Sequence, residues 1–224
     1  MAADVWPRLS PAGDSAVLVQ FGDAIDAHTN AQVHRLAAGI ARANWEGFGE
    51  PVPAYSSLLI HYDLLVWDYS AAAKKIENLL PDMDGEWVKT GARLVEIPVV
   101  YGGEEGPDLE EVAAMHGITA TEVIRLHSGS EYLVYMIGFT PGFPYLGGLD
   151  ERIATPRRAS PRTLVPAGSV GIAGQQTGVY PLASPGGWQI IGRTLLNLFD
   201  PGREPPSLLA PGDRVRFVPV ERRP

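Results

Sequence analysis

The chain contains no cysteine. That excludes disulfides, thiolate nucleophiles and zinc sites built on thiolates, and it suits a reducing compartment such as the cytoplasm. No apolar run approaches the ~20 residues needed to cross a bilayer. The stretch from Met1 to Gln20 carries Asp4 and Asp14, with no basic region ahead of an apolar one, so no secretory signal is expected. Basic side chains are the minority, 18 Lys and Arg against 26 Asp and Glu, for a net charge of −8. A nucleic-acid surface needs a basic stripe to displace counterions. The only dense basic segment, Arg152 to Arg162, sets Arg157, Arg158 and Arg162 between prolines, and these read as solvated side chains on an otherwise acidic chain. Also missing are the phosphate loop G-x-x-x-x-G-K-[ST], a G-x-G-x-x-G turn and the nucleophile elbow G-x-S-x-G. His28, His34, His61, His116 and His127 form no H-x-x-x-H or H-E-x-x-H pair, so no metal site is expected.

What is present is an ordinary globular balance, 45% apolar and 20% charged over 224 residues, enough for one large domain or two small ones. Ala16–Val19 reads as a short strand behind the turn-former Gly13-Asp14. Val33, Leu36, Ala37 and Ile40 recur at helical spacing and predict a helix over about Ala27–Ala43. Ser57–Tyr62 reads as a second strand. A second helix is expected from a Ser70 cap through Leu80, ended by Pro81 and Asp84-Gly85, and a third strand near Ala92–Val100. This β-α-β-α-β order suggests a small α+β, ferredoxin-like sandwich over residues 1–91. Residues 101–107 read as a linker. Asp108 is placed to cap one short helix, and Thr119 with Glu122 forms a capping box for another. Gly117 and Gly129 stand where helix-ending glycines belong. Tyr132–Ile137 and Arg214–Val220 read as strands, the latter with Val215 and Phe217 inward.

Between Gly138 and Gly202 the character changes. Glycine and proline supply 20 of these 65 residues, a density that could mean disorder. Interleaved Phe, Tyr, Trp, Val and Ile favour short strands and tight turns, a closed or nearly closed barrel within 92–224. Three pieces have ligand-facing chemistry. The loop Gly138–Gly147 couples Phe139, Gly142 and Tyr145 to rigid turns. The segment Gly171–Gly178 sets Gln176 and Thr177 between glycines, where amide and hydroxyl groups could meet an amide substrate. The segment Ser184–Arg193 offers Trp188 as a wall, Gln189 as a hydrogen-bonding group and Arg193 as a cation for a carboxylate or phosphate. Plainer readings stand beside these: Trp188, Phe139 and Phe143 as core, and His127 as a cation at the end of a helix, favoured by its dipole.

Taken in order, GDSAVLVQFGD (Gly13–Asp23), VPAYSSLLIHYD (Val52–Asp63), IPVVYGGEEGPDLEEVA (Ile97–Ala113), VIRLHSG (Val123–Gly129) and the stretch Gly138–Asp200 closely resemble the family of allophanate hydrolase subunit 1-like proteins, sporulation-kinase inhibitor (Kip)-like proteins and 5-oxoprolinase B subunits. The resemblance implies an α+β domain followed by a cyclophilin-like barrel of carboxyltransferase type. It implies a partner, an allophanate hydrolase subunit 2-like chain or 5-oxoprolinase C subunit, together with a 5-oxoprolinase A subunit. The implied activity is opening of 5-oxoproline to glutamate with ATP and Mg2+. Gln176, Arg193 and Arg157 then stand as candidate catalytic groups, with Tyr145, Phe139, Gly142, Thr177, Gln189, Trp188 and His127 as candidate substrate contacts. Alternatives within the family are one half of a urea or allophanate carboxyltransferase, or a kinase inhibitor acting by binding. No biotin-carrying Ala-Met-Lys-Met occurs here. Where the family pattern would read Gly-Gly-Gln-Thr, this chain has Gly174-Gln175-Gln176-Thr177, and a positive φ at 175 would strain Gln175.

Overall fold

The computed structural model of the chain describes residues 6–80 and 93–221. Two compact units emerge, Met1–Val88 and Lys89–Pro224, each with its own apolar core.

The first unit runs β1 (Arg8–Pro11), β2 (Ala16–Gln20), α1 (Ala27–Ala43), β3 (Val52–Pro53), β4 (Ser57–His61) and α2 (Tyr69–Glu77). Its sheet has the order β1-β2-β4-β3, antiparallel throughout. The element order is thus ββαββα rather than the expected alternation of strand and helix. The two unforeseen strands, β1 and β3, are short, contain Pro11 and Pro53, and lie at the sheet edges, where a missing N–H costs no ladder bond. α1 has the expected bounds. Asp26 caps it by accepting from the Thr29 N–H at 2.9 Å, and Val33, Leu36 and Ile40 bury against Val17, Val19, Leu58 and Ile60. The cap of α2 lies two residues before the expected one. Asp68, not Ser70, accepts from the Ala71 N–H at 2.8 Å. The helix stops at Glu77, and Leu79 and Leu80 pack on the core beyond its end. The expected stop at Pro81 and Asp84-Gly85 lies outside the described residues.

The second unit begins with β5 (Leu94–Tyr101), α3 (Leu109–His116) and α4 (Ala120–Ser128), then β6 (Glu131–Ile137), β7 (Pro144–Gly147), β8 (Arg162–Val165) and β9 (Ser169–Ala173). It ends with β10 (Gln176–Val179), β11 (Ser184–Gly186), β12 (Gln189–Arg193) and β13 (Arg214–Pro219). Among the described residues, seven strands close into a barrel in the order β10-β7-β6-β13-β5-β12-β9, and β8 pairs with β11 as a separate ribbon. The strand expected to complete the first sheet is β5. It is a barrel strand, parallel to β13 and antiparallel to β12. Val215 and Phe217 on β13 do point inward, into a core shared with Ile97, Val99, Tyr132 and Ile172.

The segment 101–107 is not a linker. Its backbone is pinned to the barrel by Gly102 N–H donating to the Ile191 carbonyl at 3.1 Å. Gly106 lies so close to β12 that a Cβ there would overlap the Ile191 carbonyl. Thr119 caps α4 as expected, accepting from the Glu122 N–H at 3.2 Å, while the Glu122 carboxylate is taken by Arg125 in two hydrogen bonds. Gly117 is left-handed at φ 64, but Gly129 is right-handed at φ −80 and ends α4 without a left-handed turn.

Candidate ligand-binding site

Outside the main barrel core, Phe143, Tyr180, Trp188, Val165 and Ile190 form a second apolar cluster. Phe143 sits at its centre, with Tyr180 and Trp188 edge-on to it at 5.2 and 5.4 Å and Tyr145 at 4.9 Å. Above these rings opens a cavity of about 310 Å³, near the lower end of the ~300–1,000 Å³ range of small-molecule sites. Phe139 covers one side. It is 62% exposed, holds a left-handed φ of 64, and touches Phe143 at 5.6 Å. Pro161, Pro185 and Gly186 also line the cavity, and Arg157 and Arg158 bring in positive charge. Gly186 is needed there, since a Cβ would overlap the Tyr180 hydroxyl.

Burial raises the pKa of both phenols. The Trp188 backbone pulls Tyr180 down, and the Arg157 charge pulls down both. The net direction is upward, so both hydroxyls keep their protons at neutral pH. The cavity therefore combines aromatic walls, phenolic donors and guanidinium groups. That chemistry suits a small, flat anion. Its lining offers no carboxylate, so these residues do not supply ligands for Mg2+.

The candidate residues do not all gather here. Phe139, Tyr145, Trp188 and Arg157 line the cavity. Trp188 is only 5% exposed, so it is both core and wall. Gly142 shapes the Phe139 loop at φ 79, where a Cβ would meet Phe199 at 2.8 Å. Gln189 lies beneath, buried, with its amide nitrogen donating to the Pro156 carbonyl at 3.1 Å. Arg193 lines a different cavity, with its Nε on the Ala167 carbonyl at 2.8 Å and the Glu105 carboxylate 3.4 Å away. Gln176 is half-buried at the start of β10 and lines neither cavity. The neighbouring turn is unstrained, because Gly174, not Gln175, takes the positive φ of 59.

His127 and Thr177 meet inside the barrel. The Thr177 hydroxyl donates to the Gly171 carbonyl at 2.9 Å, so it accepts from His127 Nε2–H at 2.9 Å, and the Tyr101 hydroxyl donates to Nδ1 at 2.7 Å. Complete burial lowers the His127 pKa to about 3. The ring is neutral, which corrects the reading of His127 as a cation favoured by the helix dipole.

Sequence reasoning missed the group that organises the cavity. Asp108 stands at the N-terminus of α3 but makes no side-chain cap. Its buried carboxylate accepts from Arg158 at 3.0 Å, from Arg162 at 2.6 Å and from the Ile190 N–H at 2.6 Å. Arg158 and Arg162 are thus not simply solvated side chains. The usable signal was three arginines within six residues of an acidic chain, a cluster that calls for an internal counterion.

Among the described residues, a closed barrel carrying an aromatic, cationic cavity defines the second unit. The chain belongs to the family of carboxyltransferase domains, subdomains C and D, which it matches over residues 7–209. It is 46% identical to the B subunit of 5-oxoprolinase from Bacillus subtilis (strain 168), over 96% of this chain and 94% of that protein. It is 48% identical to the corresponding 5-oxoprolinase B subunit of Escherichia coli O157:H7, over 92% and 93%. Among solved structures, a conserved uncharacterized protein of Pyrococcus horikoshii matches with 52% identity, 96% and 98% coverage and a TM-score of 0.57. The urea amidolyase of Lachancea kluyveri is more distant, 26% identical with 13% of its length matched.

Proposed function

We propose that this chain is the B subunit of an ATP-dependent 5-oxoprolinase, acting with A-type and C-type companions to open 5-oxoproline to glutamate. The observation that carries the reading is similarity to the 5-oxoprolinase B subunits along almost the whole of both sequences. The urea amidolyase reading draws on a small part of a much longer protein at about half that identity.

The cavity's chemistry agrees with such a substrate. 5-Oxoproline is a small flat lactam bearing one carboxylate. Its ring suits the aromatic wall made by Tyr145, Phe143 and Trp188, its carboxylate suits Arg157, and a protonated phenol can donate to the lactam oxygen. Holding that oxygen with a donor favours charge developing on it as the amide is activated. No nucleophile and base line the pocket together, so this chain's share is to bind and orient the lactam. Handling of ATP and Mg2+ falls to groups elsewhere in the assembly.

Co-expression with the A- and C-type companions should give a co-purifying complex that forms glutamate and ADP from 5-oxoproline and ATP. Turnover by this chain alone, or none by the assembled complex, would defeat the proposal.

A further inference from the structure

Arg157, Arg158 and Arg162 are close in sequence but have different electrostatic fates. The two hydrogen bonds to Asp108 Oδ1 come from Arg158 and Arg162, and its Oδ2 accepts from the Ile190 backbone. Arg158 has a second, more exposed carboxylate nearby, Glu111 at 3.6 Å. Arg157 has no hydrogen bond or ion pair to any described residue, is exposed, and faces the cavity. Its charge is felt at both phenols, Tyr145 and Tyr180.

The same carboxylate fixes the cavity wall. Asp108 and Ile190 exchange backbone and side-chain bonds, with Asp108 N–H on the Ile190 carbonyl at 2.9 Å. Arg162 also reaches the Trp188 carbonyl at 3.5 Å, and the Arg158 N–H donates to the Gly187 carbonyl at 2.8 Å. A buried carboxylate is costly to leave uncompensated, and here three donors meet it. Among the described residues two guanidinium groups touch it, and the third arginine of the cluster is left over.

We infer that Asp108 is a positioning residue that sets the charge of the cavity: it neutralises and anchors Arg158 and Arg162, leaving Arg157 to receive the ligand, so that the pocket selects anions with a single carboxylate. This deepens the oxoprolinase reading and rests on it for the identity of the ligand, but not for its charge. Without the Asp108 charge, Arg158 becomes a second available cation beside the first, and doubly charged ligands gain.

The test is isothermal titration of the full-length chain with three probes: 5-oxoproline, its neutral carboxamide and the dicarboxylate glutarate. The wild-type chain should bind 5-oxoproline more tightly than glutarate and the carboxamide least. In Asp108→Asn, with folding checked by circular dichroism, the preference should move toward glutarate by about tenfold, the scale of one charge-assisted hydrogen bond. A merely structural role would weaken both acids alike, and an unchanged ratio in folded Asp108→Asn overturns the inference. Should that variant not fold, Arg157→Gln decides: binding of both acids must fall at least about tenfold, and retained binding overturns the inference. Failure of the wild-type chain to bind either acid overturns it as well. Charge selection of this kind without 5-oxoproline turnover in the complex would refute the oxoprolinase reading and leave the role of Asp108 standing.

Discussion

At the scale of single residues, burial decides what a titratable group can do. His127 is enclosed by Tyr101, Tyr132, Phe217 and Thr177, with both ring nitrogens hydrogen-bonded. Its folded pKa, about 3, lies below the value of 6.5 for a free imidazole. Between those values the unfolded chain binds a proton that the folded chain refuses. The stability this group contributes is therefore present above pH 6.5 and is lost as pH falls toward 3, at about 1.4 kcal/mol per unit. Urea unfolding of wild type and His127→Gln at about pH 7 and about pH 5 measures this. The variant should be less stable at the higher pH, yet lose about 1–2 kcal/mol less than wild type on acidification. Equal losses in both would mean that the ring is not held neutral. The contrast with Arg157 is instructive: His127 was a candidate substrate contact and Arg157 a candidate catalytic group, and only the exposed Arg157 lines a cavity.

At the scale of elements, ends and close approaches carry the specificity. The start of α2 rests on the Asp68 carboxylate. Asp68→Ala should cost about 1 kcal/mol, and Ser70→Ala much less, as read from thermal unfolding of the two variants side by side. The loop 102–107 tests a different constraint. Gly106 faces the backbone of Ile191 and Gly102, which cannot rotate out of the way. Gly106→Ala should destabilise by about 1–3 kcal/mol or more, whereas a true linker glycine would tolerate alanine. Gln175→Gly should have a small effect, because the left-handed residue of that turn is Gly174.

At the scale of the whole molecule, the division into two units bears on how function is distributed. The aromatic cavity and its cations all lie in the second unit. We propose that residues 1–91 serve assembly and that 92–224 hold the ligand. Residues 92–224, expressed alone, should unfold cooperatively and bind 5-oxoproline within a few-fold of the full chain. A folded barrel that no longer binds would show that the first unit completes the site. No helix of the described residues is long and apolar enough to cross a membrane.

The sequence by itself determined the elements whose signals are local. Helical spacing located α1 to the residue, short apolar runs located β2 and β4, and glycine with proline among aromatics announced a barrel of short strands. The resemblance carried by linked motifs foretold the family. Long-range partners were not legible. β5 has the pattern of any apolar strand, and only its pairing with β12 and β13 assigns it to the barrel. Asp108 sits in a capping position, and nothing in its immediate neighbourhood along the chain reveals that its carboxylate will be claimed by groups 50, 54 and 82 residues away. A local motif fixes only backbone geometry, whereas a buried charge must find its donors wherever folding brings them. For the same reason the candidate trio of Gln176, Arg193 and Arg157 has the right chemistry but is divided by the fold. Barrel closure sets Arg157 over the aromatic cavity and places Arg193 against Glu105 in another.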